Sequence, residues 1–129
     1  ILHREMKLRC TIMSDIETLT QLITTFCSER DWDQYHNPKD LAIGLSTEAN
    51  ELLDIFRFKS QEDMTEMMTD PEKREAISEE LADVFFFLLR FAQMNQFDLK
   101  KALESKLVLN GKKYPVDKVK GKNLKYNEY

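Results

Sequence analysis

Glycine is scarce in this chain, with only Gly44, Gly111 and Gly121 among 129 residues. Valine is nearly as rare, with four positions. A sheet-rich or α/β fold draws on β-branched residues and glycine turns, so both shortages argue against one. Leu, Phe, Met, Glu and Lys carry the chain instead, as they do in an all-α protein. Positive charge is not in excess: the net charge is -4 and the pI near 5.3, which gives no electrostatic case for a nucleic-acid partner. No apolar run is long enough to span a bilayer, because Val84 to Leu89 is followed at once by Arg90. Cys10 and Cys27 show neither metal-type nor disulfide-type spacing and read as free thiols of a cytoplasmic protein. Gly-x-x-x-x-Gly-Lys and Gly-x-Gly-x-x-Gly loops are both missing. Any phosphate must therefore be held by a metal and by basic side chains.

The length suits one domain with a moderate core. Residues 1–12 read as an N-terminal extension or an expression-derived segment, since Met13-Ser14-Asp15-Ile16-Glu17 resembles a domain start. The domain itself spans 13–115, and 116–129 form a Lys-rich tail, extended over a neighbour or disordered. Ser14 and Glu17 make a capping box for a first helix reaching about Arg30. Asn37-Pro38 opens a second, ending near Phe58, and Ser60 to Met68 forms a short one. Asp70-Pro71 starts the longest helix, to about Gln96. Asp98 caps a fourth long helix, stopped at Asn110-Gly111.

Two acidic pairs stand out within this frame: Glu48 with Glu51, and Glu80 with Asp83. Positions i and i+3 share a helix face, so each pair points two carboxylates the same way. Both are embedded in apolar residues, where an uncompensated acid is costly. Glu51 lies roughly 10 Å from the expected end of its helix, and Glu80 roughly 13 Å into its own, at about 1.5 Å per residue. Antiparallel pairing of the two helices would bring the four acids to one level. Four hard oxygen ligands point to Mg²⁺, with Mn²⁺ an acceptable substitute, and hence to a phosphate substrate. A di-iron centre needs Glu-x-x-His pairs, which neither His3 nor His36 supplies. Gly44, one turn before Glu48, leaves space for a ligand or for close helix packing.

Basic groups gather near the end of the fourth long helix. Lys106 and Asn110 share a face, with Lys112, Lys113 and Tyr114 following. The stretch Arg30-Asp31-Trp32-Asp33-Gln34-Tyr35-His36 offers stacking surface and polar handles such as a base pocket needs.

Four ordered blocks carry a family resemblance: Glu29 to Pro38, Glu48 with Glu51, Glu79 to Val84, and Lys106 to Pro115. From Ser14 to Pro115 the chain resembles the MazG-like, all-α nucleoside triphosphate pyrophosphohydrolases, especially their dCTP pyrophosphatase branch. The resemblance implies a MazG-like four-helix bundle that cleaves (d)NTPs between the α- and β-phosphates. It also implies Glu48, Glu51, Glu80 and Asp83 as Mg²⁺ ligands, and Lys106, Asn110 and Tyr114 as phosphate and sugar contacts. Glu48 is the expected general base. Lys106 and Lys113 would steady the outer phosphates, and Trp32, His36 and Phe58 would form the base pocket. Phe58 stands where the branch usually carries tryptophan, and Lys112 and Lys113 where it carries arginines. Nucleotide-pool house-cleaning with a dCTP-like preference is the function implied. A dUTP-selective relative and a catalytically silent, antitoxin-like binding module are the alternatives.

Association is the last expectation. Phe85, Phe86, Phe87, Leu88 and Leu89 cover successive directions around the longest helix, more than one small core can shield. A homo-oligomer follows, a tetramer in preference to a dimer, joined through an extensive helical interface.

Overall fold

The computed structural model describes residues 13–129, so the expectations for residues 1–12, with His3 and Cys10, lie outside the described residues. Among the described residues six helices follow one another: α1 Asp15–Glu29, α2 Pro38–Ile55, α3 Gln61–Met67, α4 Pro71–Asn95, α5 Leu99–Lys113 and α6 Val116–Val119. No strand occurs among the described residues, and none of these helices is long and apolar enough to cross a membrane. The all-α class follows.

Local chemistry sets the starts. Ser14 and Glu17 form the expected capping box, each side chain satisfying the other's backbone N–H. Asn37 accepts from the Asp40 N–H, with Pro38 at the first helical position, where its missing donor costs nothing. Ser60 pairs with Asp63 in a second capping box, and Asp98 caps α5. The ends are set differently from the sequence expectation. Asp31, Phe58 and Gln96, each just past a helix, take left-handed conformations with φ of 56°, 62° and 59°. In a chain so poor in glycine, ordinary residues carry this reversal. α2 therefore closes at Ile55 rather than near Phe58. α5 instead runs through Gly111 to Lys113. A helical glycine costs about 1 kcal/mol relative to alanine, too little to stop a helix that Pro115 ends a few residues later.

The chain divides into two compact units, one reaching to Met94 and the other spanning Asn95–Tyr129. In the first, α1 and α2 both pack on α4. Phe26 of α1 meets Phe86 of α4 edge to face at 6.2 Å. The buried apolar residues are Cys27, Leu41, Met67, Ile77, Leu89 and Ala92. Burial pushes the Cys27 thiol pKa up, which makes it an inert thiol. On α2 and α4 the contacts run in opposite directions. Gly44 faces Phe87, Glu48 meets Asp83, and Glu51 meets Glu80, so each step up α2 is matched by a step down α4. The helices are antiparallel and in register at the acids.

In the second unit the tail folds back on α5. The Lys113 ammonium sits over the Tyr126 ring at 3.8 Å, and the Tyr129 hydroxyl donates to the Lys113 carbonyl. With the short helix α6, this replaces the extended or disordered tail expected from composition. The aromatic residues among the lysines supply the contacts that composition alone did not weigh.

Gly44 is a packing residue, not an opening for a ligand. A Cβ there would lie 2.4 Å from the Phe87 ring, which itself stacks edge to face on Phe86 at 5.3 Å. Gly44→Ala should therefore destabilise the protein by about 1–3 kcal/mol, seen as a lower urea midpoint with an unchanged slope. An unchanged midpoint would show that Phe87 moves aside freely.

Candidate active site

The antiparallel register of α2 and α4 brings the acids together. One carboxylate oxygen each from Glu48, Glu80 and Asp83 lie within 4.8 Å of one another. The Glu51 carboxylate is within hydrogen-bonding reach of both Glu48 and Glu80. Glu48 and Glu80 are half-buried, whereas Glu51 and Asp83 are exposed. One oxygen of Glu48 and one of Glu80, both Oε2, are buried with no hydrogen-bond donor. The ion pairs found among the described residues join Glu29 to Arg30, Asp33 to Arg90 and Lys100 to Glu104, none of them at this cluster.

Such a cluster opposes its own ionisation. Glu48 and Glu80 are both held above the usual carboxylate range, chiefly by burial and then by the charges of Glu51 and Asp83. Orphaned carboxylate oxygens converging without a counter-charge fit a hard divalent cation, Mg²⁺ or Mn²⁺. No soft or imidazole donor is among them.

A cavity of about 470 Å³ opens beside two of the acids. Glu48 and Asp83 line it together with Leu22, Ile23 and Phe26 of α1 and Phe86 and Phe87 of α4. Trp32, from the connector after α1, completes the wall and meets Phe26 edge to face at 5.7 Å. A mostly apolar pocket with a few polar groups at one place is the usual form of a small-molecule site, and this volume lies in the usual range. Leu22, Ile23 and Phe26 read in the sequence as an ordinary core stripe, and Phe86 and Phe87 as interface. Periodicity shows that a face is apolar but not whether a neighbour fills it.

The other expected site residues are placed less uniformly. His36 lies behind Trp32, with ring centroids 6.1 Å apart. Its Nδ1 accepts from Arg90 Nε at 2.9 Å, so the imidazole proton is on Nε2. Burial, then the Arg90 charge, lowers its pKa, and the ring is neutral at pH 7. Phe58 is 89% exposed, its ring under the Arg57 guanidinium, and the cavity wall of this chain is built without it. The pairing of Phe58 with Trp32 across a base pocket is thus not made within one chain, because the left-handed turn at Phe58 directs the ring outward. Lys106, Asn110, Lys113 and Tyr114 all belong to the second unit. There Lys106 is exposed, and Lys113 is engaged with Tyr126.

The electrostatics have a measurable consequence. A carboxyl with a raised folded-state pKa favours folding below its unfolded value, and that contribution is lost as pH rises through the folded pKa. In chelator-treated protein the cluster should therefore become destabilising above about pH 4.3, the ordinary Glu value. His36 has the opposite sign, losing its contribution as pH falls below about 6.5. Comparing Glu80→Gln with the unmodified chain isolates the carboxylates. The variant should melt at higher temperature at about pH 8, with the gain fading toward about pH 4, by scanning calorimetry. A variant less stable at the higher pH would contradict this reading.

Comparison with known proteins places the chain. A MazG-like family profile matches residues 43–129. The chain is similar to dCTP pyrophosphatase 1 of Rattus norvegicus, 35% identical over 113 residues, covering 88% of this chain and 66% of that protein. The human dCTP pyrophosphatase 1 is 34% identical over the same length, with the same coverage of each chain. This chain thus spans just under two thirds of the length of these curated relatives. Among solved structures, a pyrophosphatase from Archaeoglobus fulgidus superimposes with a TM-score of 0.75 at 30% identity, covering 89% of this chain and 98% of that one. The chain belongs to the MazG-like family.

Proposed function

We propose that this protein is a nucleoside triphosphate pyrophosphohydrolase, converting (d)NTPs to (d)NMPs and pyrophosphate with a dCTP-like preference. The observation that carries the reading is the convergence of four uncompensated carboxylates beside an aromatic cavity. Anionic phosphates would be bridged to the acids on one side, and a base would fit the apolar wall on the other. Similarity to the dCTP pyrophosphatases supports the choice of substrate.

Glu48, Glu51, Glu80 and Asp83 would hold Mg²⁺. When bound, the ion neutralises the phosphate oxygens and the charge developing on the pyrophosphate leaving group. Glu48 is the assigned general base. Of the three glutamates in the cluster it is the one that lines the cavity, where a water beside a bound nucleotide would lie. It accepts the proton of a water that attacks the α-phosphorus. The bond from the α-phosphorus to the bridging oxygen breaks, and pyrophosphate departs. Trp32 would stack on the base, and Phe26 meets both Trp32 and Phe86 edge to face. Lys106, Asn110, Lys113 and Tyr114 would serve the phosphates and sugar from a second chain of the oligomer. Lysines give point charges there rather than forked donors.

The proposed active form is a homo-oligomer, a tetramer in preference to a dimer. Leu22 of α1 is 63% exposed and Leu81 of α4 is 52%, with Phe85 and Leu88 also uncovered. Leaving such apolar area in water costs roughly 25 cal/mol per Å². Phe58, turned outward, belongs to the same argument. Sedimentation at micromolar concentration should show association, and a fully active monomer would exclude it.

The activity itself is tested by product analysis on a dNTP panel. Mg²⁺-dependent pyrophosphate release is expected, fastest with dCTP and abolished by EDTA. Glu51→Gln or Asp83→Asn should each lower kcat by about a hundredfold or more while leaving helical content intact. Orthophosphate as the first product would contradict the cleavage position, and a strict preference for ribonucleotides the substrate.

A further inference from the structure

Arg90 is a buried cation in a chain that buries few residues of any kind. It is 1% exposed and sits on α4 two turns beyond Asp83. Removing a guanidinium from water is expensive unless its donors are satisfied. Here each nitrogen has an acceptor: Nε donates to His36 Nδ1 at 2.9 Å, Nη1 to Gln93 Oε1 at 2.6 Å, and Nη2 to the Asp33 carboxylate. Gln93 is on the same helix. The other two partners are on the connector between α1 and α2, one and four residues after Trp32.

That connector is tied to α1 at its start, where the Trp32 N–H donates to the Cys27 carbonyl at 3.0 Å and the indole meets Phe26. It begins with left-handed Asp31 and continues as overlapping turns, in which the Tyr35 N–H bonds to the Trp32 carbonyl and the His36 N–H to the Asp33 carbonyl. Beyond Trp32 these local bonds shape the loop but do not hold it against α4. The rigid fork of Arg90 does so at two points three residues apart. Lysine, with one point of charge, cannot. An apolar residue of similar volume would satisfy a buried position at lower cost, so packing alone does not explain an arginine there.

We propose that Arg90 is a positioning residue for nucleotide recognition: by gripping Asp33 and His36 it fixes Trp32 against the cavity, and so sets how tightly and how selectively a base is held. This rests on the pyrophosphohydrolase reading for its substrate, but the positioning of Trp32 stands on the geometry alone. The residue does not touch the reacting atoms. Its effect is exerted through the indole, 5.7 Å from Phe26 at the cavity wall.

Trp32 is the only tryptophan in the chain, so its emission reports on this one place. Acrylamide quenching of the nucleotide-free protein should rise about twofold in Asp33→Ala and in Arg90→Lys. Asp33→Asn, which keeps an acceptor for Nη2, should restore most of the protection. With dCTP, KM should rise about tenfold in Asp33→Ala and kcat change by less than about twofold, with weaker discrimination among bases. Asp33 is half-exposed, its side chain 55% accessible, so that variant tests the idea even if Arg90→Lys fails to fold. A lower melting temperature with unchanged quenching and unchanged KM would make the ion pair merely structural and overturn the proposal. If no dNTP is hydrolysed at all, the substrate assignment fails, and the quenching result still decides the role of Arg90.

Discussion

The structure depends on the close approach of α2 and α4 where Phe87 lies over Gly44. Only a missing side chain lets that ring sit so near the α2 backbone. Once this contact is made, helical geometry does the rest. One turn further along α2 is Glu48, and one turn back along α4 is Asp83. Less than another turn brings Glu51 level with Glu80. Four acids that are distant in sequence become neighbours because two helices are locked in one antiparallel register. A shift of a single residue would rotate each acid by about 100° away from its partner.

This arrangement is unfavourable for the isolated chain. Carboxylates crowd one another, two of their oxygens are buried without a donor, and none of the ion pairs among the described residues involves them. Proteins keep such strain where a ligand removes it. At the connector that bears Trp32, by contrast, each nitrogen of Arg90 has an acceptor, and two of these are Asp33 and His36. A destabilised acidic floor and a stabilised aromatic wall fit a site that binds a metal–phosphate group at one end and a flat ring at the other.

Much of this was legible in the sequence. The scarcity of glycine and valine argued against a sheet, and Ser14, Asn37 and Asp98 marked helix starts through their capping chemistry. The two acidic pairs stood out because i, i+3 spacing inside apolar runs has few innocent explanations. Helix ends were less readable. Asp31, Phe58 and Gln96 reverse the chain without glycine, and Gly111 fails to stop α5. The role of Gly44 depended on which residue of α4 faced it, a tertiary fact. The aromatic wall was hidden for a related reason: Leu22, Phe26, Phe86 and Phe87 carry the same pattern whether they line a filled core or an open cavity. Arg90 could not be matched to Asp33 and His36, more than fifty positions away, by any local rule.

The central claim is that the four carboxylates act together as a site for a divalent cation. Titration of Mn²⁺ into chelator-treated, nucleotide-free protein, followed by electron paramagnetic resonance, measures this without reference to catalysis. Saturable loss of the free-ion signal is predicted for the unmodified chain, strongly weakened by Glu51→Gln, Glu80→Gln or Asp83→Asn and unaffected by a change at an outlying acid such as Glu62→Gln. Equal binding by the unmodified chain and the cluster variants would contradict the account.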